Sequence, residues 1–147
     1  MSKYKEIKGF KVQTLASDTV ASALPGTTWS SGNNLNTAVL GNTGFGTQSA
    51  AASVGGTAGS ITNHVEEYDG SSWTNGGNLG TARRDFAGAG TQTAGVAFAG
   101  YVSAVSALTE EYNGSSWTAS NAMSTSKYGN AGCGTQTAAF SFAGGNP

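Results

Sequence analysis

The sequence predicts an all-β repeat protein of short antiparallel strands, and three observations carry that prediction. First, Trp29, Trp73 and Trp117 recur every 44 residues, and Gly46-Thr47-Gln48, Gly90-Thr91-Gln92 and Gly134-Thr135-Gln136 keep the same interval. Second, Asp69-Gly70 and Asn113-Gly114 each stand four residues before a tryptophan, and Asx-Gly pairs are the strongest short hairpin signal because they adopt positive φ at low cost. Third, Gly, Ala, Ser, Thr and Asn supply 92 of 147 residues. That bias opposes a helical bundle, which draws on Leu, Glu, Lys and Arg.

The repeat sets the organisation. Units run 22–65, 66–109 and 110–147, the last shorter than the others, behind a leader over 1–21. Units two and three agree at 19 of 38 aligned positions without a gap. One tryptophan per fixed period is a packing pattern, and it separates this chain from low-complexity disorder, as do its 37% apolar residues.

Within one unit the elements follow in order. Arg84 to Ala89 reads as a first strand and Gly90 to Thr93 as a polar turn. Ala94 to Gly100 reads as a second strand, and Tyr101 to Ser106 as a loop. Ala107 to Tyr112 is a third strand, Asn113 to Ser116 a tight turn, and Ser116-Trp117-Thr118 the start of a fourth. Four short strands per 40–50 residues is the arithmetic of a β-propeller blade. Glycine weakens a strand, so its abundance in the first two strands points to close backbone approach.

Composition excludes several classes. Only 10% of residues are charged and the net charge is −1, which argues against a nucleic-acid partner. No apolar run approaches the roughly 20 residues of a membrane span, and the start lacks the apolar stretch of a secretory signal. One cysteine, Cys133, builds no disulfide framework, and one histidine, His64, with one cysteine is too few for a His/Cys metal site. No metal and no cofactor are expected.

The residues then show a resemblance. Unit three carries Glu110-Glu111-Tyr112-Asn113-Gly114-Ser115-Ser116-Trp117, then Met123, Lys127, Gly132 and Ala143-Gly144-Gly145. Unit two carries Tyr68-Asp69, Trp73, Leu79, Arg83, Gly88 and Ala99-Gly100, with Ala99 departing from a Gly-Gly pair. Unit one keeps Trp29, Leu35, Gly44 and Gly55-Gly56 but has Leu24-Pro25 at the turn. This pattern, over 22–147, resembles the kelch repeat. The wording Tyr-Asp-Gly-Ser-Ser-Trp-Thr and the leader Lys5 to Gln13 look like kelch-type structural proteins of marine tailed phages. The resemblance implies propeller-type blades and a virion structural protein, a fibre or surface-decorating component that contacts other virion proteins and host surface polysaccharide.

Strand order predicts that the repeats do not close alone. With Val20 to Gly26 as a third strand and Trp29 as a fourth, the chain reads as two strands, two complete blades, then two strands. Termini paired within one chain would make three blades, below the usual four to eight. Completion by homo-oligomerisation is therefore expected, two chains making six blades.

Candidate sites follow. The tryptophans read as packing between blades. Glu66-Glu67 and Glu110-Glu111 are no glycosidic pair, because adjacent strand residues face opposite ways; the repetition points to a structural role, accepting backbone hydrogen bonds at a turn. His64 reads as structural. Ser71-Ser72 and Ser115-Ser116 read as turn residues, so no enzyme activity is expected. The loops between second and third strands and between blades emerge on one face, which collects Arg83, Arg84, Tyr101, Lys127 and Tyr128, with Thr57-Ala58 nearby, as a surface for a glycan or protein. In the leader, Lys5, Ile7, Phe10 and Val12 read as an anchor onto another protein, without membrane insertion. The virion is the expected location. The alternative is a bacterial surface or secreted kelch-like module binding glycan or protein. A galactose-oxidase-like copper enzyme is disfavoured by the single His and Cys.

Overall fold

The structure is a computed structural model and describes residues 32–146. Among them there is no helix, and so none long and apolar enough to cross a membrane. Ten strands form three antiparallel sheets. The first holds β1 (Thr43–Thr47), β2 (Ala50–Ala58), β3 (Ser60–Tyr68) and β4 (Trp73–Asn75) in chain order. The second holds β5 (Ala87–Thr91), β6 (Ala94–Phe98), β7 (Thr109–Tyr112) and β8 (Trp117–Ser120), again in order. The third pairs β9 (Tyr128–Thr135) with β10 (Ala138–Gly145). Val20 to Gly26 and Trp29, read as further strands, lie outside the described residues, as does the anchor Lys5, Ile7, Phe10 and Val12.

The sheets pack in a row, with the first strand of each, β1, β5 and β9, lying beside the next. They do not close into a ring. Close packing explains the glycines. A methyl group built on Gly95 would lie 2.3 Å from the Phe45 ring, and one on Gly132 would lie 2.6 Å from Phe98 Cζ. Phe45, Ala52, Val54, Val65, Leu79, Phe86 and Ala97 form one buried cluster, with Trp117 against it. Ala87, Ala89, Val96 and Phe98 form a second, with Met123 against it.

The hairpins end as the Asx-Gly signals predict, through a four-residue loop. Tyr68 pairs with Trp73 and Tyr112 with Trp117. Asp69 Oδ1 accepts from the Ser71 and Ser72 amides at 2.8 and 2.7 Å, and Asn113 Oδ1 accepts from Ser115 and Ser116 at 3.0 and 2.9 Å. Only the glycine supplies positive φ, 94° at Gly70 and 92° at Gly114. These donors hold the Asp69 carboxyl well below its usual range.

Three strand limits depart from expectation, one being the third strand, which begins at Thr109 and not Ala107. The first strand of the second sheet begins at Ala87, not Arg84, because Asp85 takes φ 53° and breaks the extended run. The second strand stops at Phe98, and the positive-φ pair that follows, Ala99 and Gly100 at 69° and 100°, recurs at Gly55-Gly56 and Ala143-Gly144 without ending their strands. In the first sheet the equivalent stretch stays paired to Ala58↔Ser60, across a register shift between Val54 and Gly56. In the second it opens into the Ala99–Leu108 loop, which carries Tyr101.

Candidate functional site

Most polar chemistry in the repeat is used between or within sheets, at positions 44 residues apart. Glu66 accepts from the amides of Asn36 and Thr37 at 2.7 and 2.8 Å. Glu110 accepts from those of Gly80 and Thr81 at 2.7 and 3.2 Å. Both are buried while Glu67 and Glu111 face the other way, as strand alternation requires. Trp73 Nε1 donates to Asn33 O and Trp117 Nε1 to Gly77 O, each at 2.9 Å. Each indole lies on the tyrosine that ends the preceding strand, at centroid distances of 5.0 Å (Tyr68) and 4.8 Å (Tyr112). Gln92 Nε2 donates to Ala51 O and Tyr68 O, and Gln136 Nε2 repeats this onto Gly95 O and Tyr112 O. The glutamines mark the period in the sequence, but their role was missed; a fixed amide at a turn was the signal.

Across the first joint, Tyr112 Oη donates to Glu67 Oε1 at 2.6 Å. Burial, reinforced by that carboxylate, pushes the Tyr112 phenol up to about 12. His64 Nε2 lies 3.4 Å from Glu66 Oε1, inside the sheet.

The loop face brings together the side chains of three of the five residues expected there, Arg84, Tyr101 and Tyr128. Arg84 and Tyr101 exchange backbone hydrogen bonds at 3.1 and 2.8 Å, and the Arg84 guanidinium lies 4.8 Å from the Tyr101 ring centre. Arg84 also pairs with the carboxylate of Asp85. Lys127 joins through its backbone, its carbonyl accepting from Gly100 N at 2.7 Å. Arg84, Asp85, Tyr101, Val105 and Tyr128 line a cavity of about 530 Å³. Thr57 lies across Arg84 and Asp85 in a smaller one of about 210 Å³. An aromatic face beside a cation and a carboxylate can receive a sugar ring and its hydroxyls.

Arg83 does not join this surface. Its side chain is 0% exposed and turns into the second sheet. Nη2 donates to Glu110 Oε1 at 2.6 Å, Nη1 to Leu108 O at 2.8 Å, and the guanidinium sits 5.3 Å from the Phe86 ring centre. Burial pulls its pKa down, against the opposing pull of Glu110. Neighbouring residues on an extended chain point apart, so Arg84 takes the surface and Arg83 the interior.

Among the described residues no group of three His, Cys, Asp or Glu side chains is placed to hold a metal. No family model matches the chain, and no curated protein matches it. The backbone is similar to the solved structure of YjhT, with a TM-score of 0.59 and 10% identity over 70% of this chain. The match spans 38% of YjhT, and at that identity the likeness concerns the fold alone.

Proposed function

We propose that this is a non-catalytic, kelch-like binding and building protein, with propeller-type blades completed by a second copy. Its specific role is a virion structural component of a tailed phage, a fibre or surface decoration anchored through residues 1–21 to other virion proteins. The exposed loop face meets host surface polysaccharide. One observation supports binding over chemistry: the repeated carboxylates, tryptophans and glutamines hold the sheets, whereas Arg84, Tyr101 and Tyr128 cluster at a cavity without taking part in that repeat. The virion assignment draws on the repeat wording alone.

The alternative, a bacterial surface or secreted kelch-like module, makes the same use of the loop face and differs in location. Antibody raised against the chain should label purified phage particles; label on the bacterial envelope instead selects the alternative. Host polysaccharides arrayed against the protein should bind it, and Tyr101→Ala should weaken binding at least tenfold. Silence of the wild type across those polysaccharides removes the glycan role.

A further inference from the structure

The loop face repeats one backbone pair in every sheet. Leu40 pairs with Thr57, Arg84 with Tyr101 and Tyr128 with Gly145, at positions 44 residues apart. Leu40 and Tyr128 are exposed and the Arg84 side chain is 40% exposed, so the three stand in a row along neighbouring sheets. The residue after each, Gly41, Asp85 and Gly129, stitches the row together. Asp85 N donates to Gly41 O and Gly129 N to Asp85 O, each at 2.7 Å. All three are left-handed, at φ 63°, 53° and 61°.

Two of the three are glycine, which takes this conformation without steric penalty. Aspartate takes it under strain, and residues held that way gather at functional sites. The sheets do not call for the carboxylate, because both hydrogen bonds of Asp85 between sheets use backbone atoms. Among the described residues its carboxylate pairs with Arg84 alone. Gly41 leaves room for it: a methyl group there would lie 2.5 Å from Asp85 Oδ1.

The second repeat also departs from the row at Tyr101, where the others have Thr57 and Gly145. The departures converge. Arg84 and Asp85 stand in the walls of both loop-face cavities, the one of about 530 Å³ and the one of about 210 Å³. The larger falls within the roughly 300–1,000 Å³ of small-molecule sites and the smaller falls below it. The smaller therefore extends the larger instead of standing as a site of its own. Thr57 lines it, with Oγ1 buried and without a hydrogen-bond partner among the described residues. A buried hydroxyl left unpaired is unfavourable, and a ligand hydroxyl relieves it.

Resting on the glycan reading above, we propose that the two cavities form one cleft for consecutive sugars of an uncharged polysaccharide, with Asp85 as its central hydroxyl acceptor. One sugar lies in the larger cavity against Tyr101 and Tyr128. The next reaches over Leu40 towards Thr57 Oγ1. Asp85, between them, accepts from hydroxyls on either side, and Arg84 donates beside it. The class of sugar follows from this pair: the two charges cancel, and an acidic sugar would meet the carboxylate of Asp85 as a like charge.

Neutral and uronate-rich host polysaccharides, and fragments of one to six sugars cut from those that bind, test the cleft. Affinity should rise about tenfold from one sugar to three. Asp85→Gly should weaken binding about 30-fold, while the melting temperature stays level or rises, because glycine serves the same backbone at 41 and 129. Asp85→Asn should fall between. A single sugar that binds as well as three overturns the proposal, as does a preference for the uronate-rich chains. So does an Asp85→Gly variant that binds like the wild type, or one whose melting temperature drops, which would assign the aspartate to the fold. If Tyr101→Ala weakens binding and Asp85→Gly does not, the loop face still binds glycan and the cleft alone fails. Silence of the wild type across these polysaccharides removes both.

Discussion

β6 and β10 share a place in the repeat and differ in what covers them. Both carry a phenylalanine followed by an alanine at positive φ, Phe98-Ala99 at the end of β6 and Phe142-Ala143 within β10. Phe98 is buried by the sheet that follows, where Gly132 leaves room for its ring, whereas Phe142 stands half in solvent. A hairpin in this protein therefore does not make its own core. Burial passes from each sheet to the next, as in other repeat architectures, where stability sums over neighbour contacts.

The largest expected effect is inside the second sheet. Glu110→Ala strands the Arg83 guanidinium in the interior and should cost about 3–5 kcal/mol in urea denaturation. The equivalent cation in the third repeat, Lys127, faces no described carboxylate, and Lys127→Met should stay within about 0.5 kcal/mol. Equal losses would mean that the third sheet is braced like the second.

Next comes the pair of aromatics. Phe98→Ala should cost ~3 kcal/mol at every protein concentration. The cost of Phe142→Ala should appear only where a second copy is bound and vanish on dilution, read as a concentration-dependent melting temperature. Smaller still is Gly95→Ala, whose methyl group presses on the Phe45 ring and should cost about 1–3 kcal/mol. The third repeat already carries alanine there, Ala139, in the exposed hairpin.

The smallest effect separates the joints by pH. The Tyr112 phenol titrates near 12 in the folded chain against 10 unfolded. The folded state thus holds its proton longer. The stabilisation is complete below pH 10 and is lost as pH rises from about 10 to 12. Tyr112→Phe should flatten the alkaline arm of a stability–pH curve measured through that window. An unchanged arm would assign the alkaline loss to other groups.

Much of this organisation was legible in the residues. The 44-residue interval and the Asx-Gly turns located both complete sheets and the final hairpin, because packing demands an identical spacing and a turn demands particular side chains. The buried carboxylates were also within reach: Glu66 and Glu110 recur, and a repeated acid next to an oppositely facing one signals a backbone acceptor. Arg83 was not. Its partner lies 27 residues on, beyond a loop whose path no local pattern reveals, and a double arginine in a loop looks like surface. The start of β5 was hidden for a related reason, since the left-handed turn at Asp85 depends on Asp85 N donating to Gly41 O of the preceding sheet, at 2.7 Å.

The glutamine clamps bear on how so bland a sequence finds one alignment. β2 reads Ala-Ala-Ala-Ser-Val-Gly-Gly-Thr-Ala, and side chains this alike discriminate poorly between neighbouring pairings, so the strand is prone to slip. Ala51 and Tyr68, whose carbonyls receive Gln92, are direct partners across β2 and β3. Gly95 and Tyr112 are likewise partners under Gln136. One amide can satisfy both carbonyls only when they are level, so a one-residue slip breaks the fork. The first and second sheets are thereby each checked for alignment by the turn of the next. The information that small side chains cannot hold within a strand is stored one repeat downstream.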